Sequence, residues 1–398
     1  MTGIVIVGAG QAGAAVTGKL RALGHAGPIT LIGEEHVPPY QRPPLSKAYL
    51  KGEMALERLF LRPEAWYVEN GVDLRLDTRV DAIDLSDHVV IAGGHQVPFD
   101  HLVLATGAVP RQLTPSCRRE VVGGVHLLRD LKDVDAMAPE MTSGKHLLVV
   151  GGGYIGLEAA AVARQLGLNV TLLEMSERIL SRVASAETSD FVRAVHQSHG
   201  VDIRERVGLD HLLGTDHVTG AVLTDGAEID VDIVVVGIGV TPATSLAEAA
   251  GIEIENGIKT DARGRTSAEG VWAAGDCASL PWRGQRIRLE SVQNAIDQAE
   301  AVAGNILGAD TDYEPHPWFW SDQYDLKLQI AGLHTGYDRV AVRPGTSHWY
   351  YAGDRLIAVD AMSDPRAYMV GKRLIEAGKS PAADLVSDPD TNLKALLK

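Results

Sequence analysis

Cysteine is almost missing from this chain: its 398 residues contain two, Cys117 and Cys277. Two thiols so far apart build neither a disulfide framework nor a CxxC redox motif. Long apolar runs are missing as well, and none approaches the roughly 18 residues that span a bilayer. The longest candidate, Ile233 to Val240, predicts a buried strand. A strand-like run already begins at Ile4. That leaves no room for a basic leader, so the cytoplasm is the expected location. Positive charge is short too, with 37 Lys and Arg against 52 Asp and Glu and a formal net charge of -15. This excess argues against nucleic acid or an anionic membrane as the main partner, while allowing a local basic patch.

Glycine is plentiful, with 42 residues that cluster rather than scatter. The clusters reveal an internal echo. The apolar run Ile4-Val5-Ile6-Val7 leads into Gly8-Ala9-Gly10-Gln11-Ala12-Gly13, then an alanine-rich helical pattern that stops at Gly24. A second apolar strand, Ile29 to Ile32, ends at Gly33 and the acidic pair Glu34 and Glu35. The unit recurs with Leu147 to Val150, then Gly151-Gly152-Gly153-Tyr154-Ile155-Gly156, a helix through Glu158 to about Leu166, and the strand Val170 to Leu173 leading to Glu174. Strand, GxGxxG, helix, strand and acid, in that order, form the dinucleotide-binding unit. Its first glycine makes the tight turn, its second admits pyrophosphate to the backbone, and its third lets helix pack on strand. The helix start holds the phosphates and the acid accepts from ribose hydroxyls. One such motif is weak; two in full context predict two dinucleotide sites.

Leu102-Val103-Leu104-Ala105-Thr106-Gly107 and Gly270-Val271-Trp272-Ala273-Ala274-Gly275-Asp276 resemble the two short motifs of glutathione-reductase-like flavoproteins. The resemblance implies an α/β fold with two Rossmann-type domains, the NAD domain inserted in the FAD domain. Residues 1–113 and 245–310 then form the FAD domain and 114–244 the NAD domain. From 311 to 398 the tryptophans and tyrosines cluster, and alternation at Leu326, Leu328, Ile330 and at Val340, Val342 predicts strands. With a helix from Pro365 to Ala377, this reads as a C-terminal α+β domain.

Disulfide-reducing and peroxide-reducing members of that architecture carry a cysteine shortly after the first unit. Here the region reads Tyr40-Gln41-Arg42-Pro43-Pro44-Leu45-Ser46-Lys47, without one. Cys277 reads as a small packed residue, and Cys117 lies in an expected loop. His196 and His199 share a helix face but show no third ligand, so no metal is expected.

Arg42 to Lys47, Gly151 to Glu158, Gly275-Asp276-Cys277, Glu290-Ser291-Val292 and Trp318-Phe319-Trp320-Ser321-Asp322-Gln323-Tyr324 together resemble the oxygenase-coupled ferredoxin reductase family over essentially the whole chain. The resemblance implies an enzyme using FAD and NADH, with a two-iron two-sulfur ferredoxin as electron acceptor. FAD contacts would fall on Gly8, Gly10, Ala12, Gly13, Glu34, Arg42, Lys47, Val80, Arg129, Asp276 and Val292. Trp320 would either cover the flavin edge or pack in the core. NADH would fall on Gly151, Gly153, Tyr154, Ile155, Gly156, Glu158, Glu174 and Gly239.

Lys47 and Glu158 are the catalytic candidates. Lys47 would be a fixed cation beside the isoalloxazine, and Glu158, expected in the first helical turn, would pair with it. The plainer alternatives are a surface lysine and a favourable charge at a helix start. Arg62, Arg283, Arg286 and Lys327 are candidates for docking an acidic ferredoxin. Arg178 and Arg182, near Glu174, are the residues that could admit NADPH. Rubredoxin reductase is the neighbouring alternative. A flavin-bearing signalling protein similar to apoptosis-inducing factor is the alternative of another class.

Overall fold

The structure is a computed structural model that describes residues 3–398. Its backbone contacts divide it into two compact units. Unit 1 takes the residues up to Gln41, Ala55–Val109 and Val240–Pro317. Unit 2 takes Arg42–Met54, Pro110–Gly239 and Trp318–Lys398. The short Arg42–Met54 stretch and the C-terminal segment thus share a unit with the second Gly-rich motif.

Unit 1 is built on a five-stranded parallel sheet, in the order Val271–Ala273, His101–Leu104, Ile4–Val7, Ile29–Ile32, Val72–Arg75. Its central strand is apolar on both faces because both are covered. Val5 and Val7 enter one core with Val90 and Val97 of a small antiparallel sheet and with Phe99. Ile4 and Ile6 enter another with Val16 and Leu20 of the helix Gln11–Ala22 and Ala299 and Val302 of the helix Val292–Ile306.

Unit 2 repeats the plan. Its parallel sheet runs Val201–Glu205, Asn169–Glu174, His146–Val150, Ile233–Val236, Val125–His126. The apolar run expected as one strand to Val240 breaks after Val236, because Gly239 turns the chain at φ +94°. Cys117 lies on the short helix Pro115–Arg118 rather than in a loop, with Thr114 capping it. The C-terminal segment forms a five-stranded antiparallel sheet that opens with the hairpin Trp318–Gln323 and Leu326–Gly332. The helix Pro365–Glu376 packs on it through Ala367, Val370 and Leu374.

Candidate functional site

In each unit the Gly-rich turn joins the central strand to a helix whose first amides have no side-chain cap, on Gln11–Ala22 and on Tyr154–Gln165. Uncapped amides at a helix start are donors waiting for an anion. The three glycines of each turn are required for different reasons. A Cβ on Gly8 would lie 2.1 Å from the Ala105 carbonyl oxygen, and one on Gly13 would lie 2.0 Å from that of Gly8. Gly151 and Gly156 are equally confined, at 2.4 Å from Gly237 O and 2.1 Å from Gly151 O. The middle glycines are not: a Cβ on Gly10 or Gly153 would meet no protein atom within 4 Å. Nothing within the chain calls for glycine at these two positions. A group that must come close to the backbone does, and a dinucleotide pyrophosphate fits that demand.

Strand register separates the two acids. Val7 pairs with Ile32 and Val150 with Leu173, so Glu174 stands where the first copy has Gly33, and Glu34 stands one residue further on. Glu174 is drawn into its turn. One carboxylate oxygen accepts from the Gly152 amide at 2.9 Å and the other from the Ser176 amide at 2.7 Å. Gly152 is bare opposite it, and a Cβ there would sit 3.1 Å from the carboxylate. In the first copy Ala9 carries the side chain and Gly33 is the bare partner. Glu34 is left 74% exposed, with Arg79 at 3.7 Å, while Glu35 accepts from the Tyr40 hydroxyl at 2.6 Å.

The remaining sequence-selected residues of unit 1 gather partly around the first turn. Gly275, at φ +82°, brings the Gly275-Asp276 turn against Ala12, whose Cβ lies 3.0 Å from where a Gly275 Cβ would stand. The Gln298 side chain fixes this turn by accepting from the Gly275 amide. Val292 opens the helix Val292–Ile306, capped by Ser291. Val80 is a buried core residue on the strand Val80–Asp84.

Unit 2 contains Arg42, Lys47, Arg129, Glu158 and Trp320. Arg42 donates to the Arg129 carbonyl at 2.7 Å. Glu158, 2% exposed, is the fifth residue of the helix Tyr154–Gln165, just past the expected first turn, and no acid occupies that turn. A helix-start charge therefore does not account for it. Its Oε2 accepts from Lys47 Nζ at 2.6 Å and from Ser46 Oγ at 2.5 Å, and its Oε1 accepts from Ser321 Oγ at 2.7 Å. The Pro43–Ser46 turn, with prolines presetting its first positions, delivers Ser46 and Lys47 to the carboxylate. An unpaired carboxylate at this depth would be prohibitively costly, and these donors meet that cost. Tyr154 packs its ring on Phe319 with centroids 4.9 Å apart, and Ile155 is exposed. Trp320 is half-buried beside Trp318, with centroids 5.6 Å apart.

Several residues left open by the sequence are now placed. Arg178 is tied inward, donating to Ser189 Oγ at 2.7 Å and the Ser185 carbonyl at 3.3 Å, whereas exposed Arg182 lies by Gly239. Cys277 is fully buried and donates to the Leu104 and Ala274 carbonyls; burial pushes its thiol up, away from the reactive thiolate. Among the docking candidates, Arg62 stacks on Trp66 at 4.5 Å and Arg286 donates to the Thr260 and Ser279 carbonyls, while Lys327 is exposed.

Sequence reasoning gave Ser321, Gln323 and His196 no role at this site; the structure puts them behind Glu158. The signal was available: Ser321 and Gln323 alternate on one face of a strand, and both are fully buried. Among the described residues no cluster of three or more His, Cys, Asp or Glu forms a metal site, and no helix is long and apolar enough to cross a membrane.

Comparison with known proteins shows the family. The profile of the family "Pyridine nucleotide-disulphide oxidoreductase" matches residues 2–299, and that of "Reductase C-terminal" matches 318–397. A ferredoxin–NAD(P)(+) reductase from a Sphingomonas species is 43% identical over 98% of this chain and 96% of its own length. A rubredoxin–NAD(+) reductase from Pseudomonas putida is 38% identical over 91% and 96%. The reductase in the crystal structure of the covalent putidaredoxin reductase–putidaredoxin complex superposes with a TM-score of 0.94 at 37% identity, covering 100% of this chain and 98% of that one. With two nucleotide cradles, no cysteine in the Tyr40–Lys47 segment and a matching C-terminal sheet, the chain belongs to the pyridine nucleotide-disulphide oxidoreductases, as a flavoprotein of their ferredoxin reductase branch.

Proposed function

We propose that the chain is an NADH-dependent, FAD-containing reductase that passes electrons singly to a two-iron two-sulfur ferredoxin serving a mono- or dioxygenase. FAD, held by the first Gly-rich turn, would supply the conversion between a two-electron hydride donor and a one-electron acceptor. The protein binds, orients and supplies the field. The Gly8–Gly13 turn holds the FAD pyrophosphate, with Ala12 at the helix start, and Glu34 and Asp276 accept from its hydroxyls. Val80, Val292, Arg42, Arg129 and Trp320 are its further contacts. The Gly151–Gly156 turn, with Gly153, Tyr154, Ile155 and Gly239, holds NADH. Lys47 is the fixed cation for the isoalloxazine, and Glu158 sets its position. NADH consumption points to the cytoplasm as the place of work.

The duplicated cradle with two bare middle glycines carries this reading. Its test is NADH-driven reduction of cytochrome c that depends on added two-iron two-sulfur ferredoxin. The rubredoxin reductase relative supports a second acceptor, so rubredoxin replaces ferredoxin in a parallel assay. Reduction that proceeds equally without either carrier would overturn the proposal.

Choice of NADH rests on Glu174, whose carboxylate accepts a free 2′-hydroxyl and repels a 2′-phosphate. Arg178, the nearer cation in sequence, is occupied with Ser185 and Ser189. We expect kcat/KM for NADH to exceed that for NADPH by at least about tenfold, about 1.4 kcal/mol, and Glu174→Ala to narrow the gap. Equal use of both cofactors by the wild-type protein would remove Glu174 from this role.

A further inference from the structure

The two oxygens of Glu158 are bonded differently. Oε2 faces Ser46 and Lys47, whereas Oε1 has the single donor Ser321. Behind Ser321 the hydrogen bonds continue. Gln323 Nε2 lies 3.0 Å from Ser321 Oγ, and Gln323 Oε1 lies 2.8 Å from His196 Nε2. The Tyr324 hydroxyl lies 3.4 Å from His196 Nδ1. Glu158 is 2% exposed, and Ser321, Gln323 and His196 are fully buried.

The polarity of this chain follows from its end. An ionised carboxylate only accepts, so Ser321 must spend its one hydrogen on Glu158. Ser321 then offers Gln323 only lone pairs, which turns the Gln323 amide nitrogen toward it and the amide oxygen toward His196. The imidazole must then carry its hydrogen on Nε2, leaving Nδ1 to accept from Tyr324. Reversing any single member sets two lone pairs or two hydrogens against each other. Burial, the larger influence, pushes the His196 imidazole down to about 4, so it holds one ring hydrogen and not two. Aligned donors polarise one another and strengthen the terminal bond.

We propose that Ser321, Gln323 and His196 are positioning residues for Glu158: a one-way series of hydrogen-bond donors, running from the Tyr324 hydroxyl to the carboxylate, holds Glu158 aimed at Lys47. The proposal rests on reading Glu158 as the partner of a catalytic Lys47, and adds what holds its carboxylate in place. The Gln323 amide transmits direction but does not relay protons, so the series is an orienting device and not a proton path. The titratable or charged groups in it are Lys47, Glu158, His196 and Tyr324.

The test is infrared titration of the FAD-loaded protein, with the Glu158 carboxylic-acid band assigned by its loss in Glu158→Gln. In Ser321→Ala and in Gln323→Met the midpoint at which this band appears should rise by at least one pH unit. That is a tenfold change in proton affinity, about 1.4 kcal/mol. Ser321→Thr, which keeps the hydroxyl, should restore the wild-type midpoint. Should Ser321→Ala fail to fold, Gln323→Met carries the comparison, since it breaks the series one link further back. Unchanged midpoints in variants that keep their FAD would overturn the proposal and leave Glu158 to Lys47 and Ser46 alone. The band reports on Glu158 whatever the electron acceptor. A shifted midpoint in a protein that reduces no ferredoxin would therefore support the donor series while sinking the acceptor assignment.

Discussion

At the scale of single residues, the glycines of the two turns separate folding from binding. Gly8, Gly13, Gly151 and Gly156 are pressed against backbone, so a side chain at any of them disturbs the fold itself. Gly10 and Gly153 have extended backbone at φ -95° and -83°, which a β-branched residue adopts without strain, and open space where a Cβ would go. Gly10→Val should therefore give a folded, colourless protein without FAD. Gly153→Val should stay yellow but lose NADH-driven flavin reduction by at least about a hundredfold, roughly 2.7 kcal/mol in the barrier. Absorption spectra, circular dichroism and stopped-flow reduction read the three properties separately. Full FAD in Gly10→Val would mean that the first turn is not the flavin cradle. The motif was plain in the sequence, but which of its glycines serves the fold and which serves a ligand needed the neighbouring backbone.

At the scale of elements, a buried polar cluster joins the C-terminal sheet to the helix Ala186–Ser198 of the second nucleotide fold. Asp360, on the strand Arg355–Met362, accepts from the Tyr350 hydroxyl and from Thr188 Oγ1, the latter at 2.7 Å. Thr188 in turn meets His348 Nδ1 at 2.8 Å. Burial, acting against these two bonds, pushes Asp360 up to about 6 from an unfolded value of 3.8. Between those values the native protein holds a proton that the unfolded chain has released, so stability falls as pH rises through the window and levels off above it. Over two pH units the change is on the order of 3 kcal/mol at most. Asp360→Asn keeps an acceptor oxygen without a charge to bury, and should flatten this slope. Its thermal midpoint, relative to wild type, should climb between about pH 4 and pH 6. Parallel curves for the two proteins would show that Asp360 ionises normally. Nothing in the periodicity of either element announced this cluster, because Thr188 and Asp360 are far apart in the chain and each looks like an ordinary surface residue.

For the whole molecule, the net charge of -15 sets the problem of an acidic partner. Docking has to rely on local cations, and the structure sorts the candidates. Arg62 and Arg286 are committed to Trp66 and to backbone carbonyls, so reversing them would damage packing before it touched recognition. Exposed Lys327 is the cleaner probe. Lys327→Glu should raise the KM for ferredoxin severalfold at low salt while leaving flavin reduction by NADH unchanged. The difference should shrink as ionic strength rises and the Debye length falls to about 8 Å or below. A ferredoxin KM unmoved at low salt would place the contact elsewhere.

The sequence by itself determined the two nucleotide-binding units, the absence of a cysteine from the Tyr40–Lys47 segment after the first and the strand character of the C-terminal segment. These are properties of local pattern: glycine spacing, apolar runs and alternation follow from backbone geometry within about thirty residues. Tertiary structure alone decided what surrounds Glu158. Ser46, Lys47, Ser321, Gln323 and His196 come from three distant stretches of chain, and no short-range rule brings them together. A carboxylate can be buried there only because each of its oxygens finds donors, and the direction of every bond behind Ser321 is fixed by the one before it.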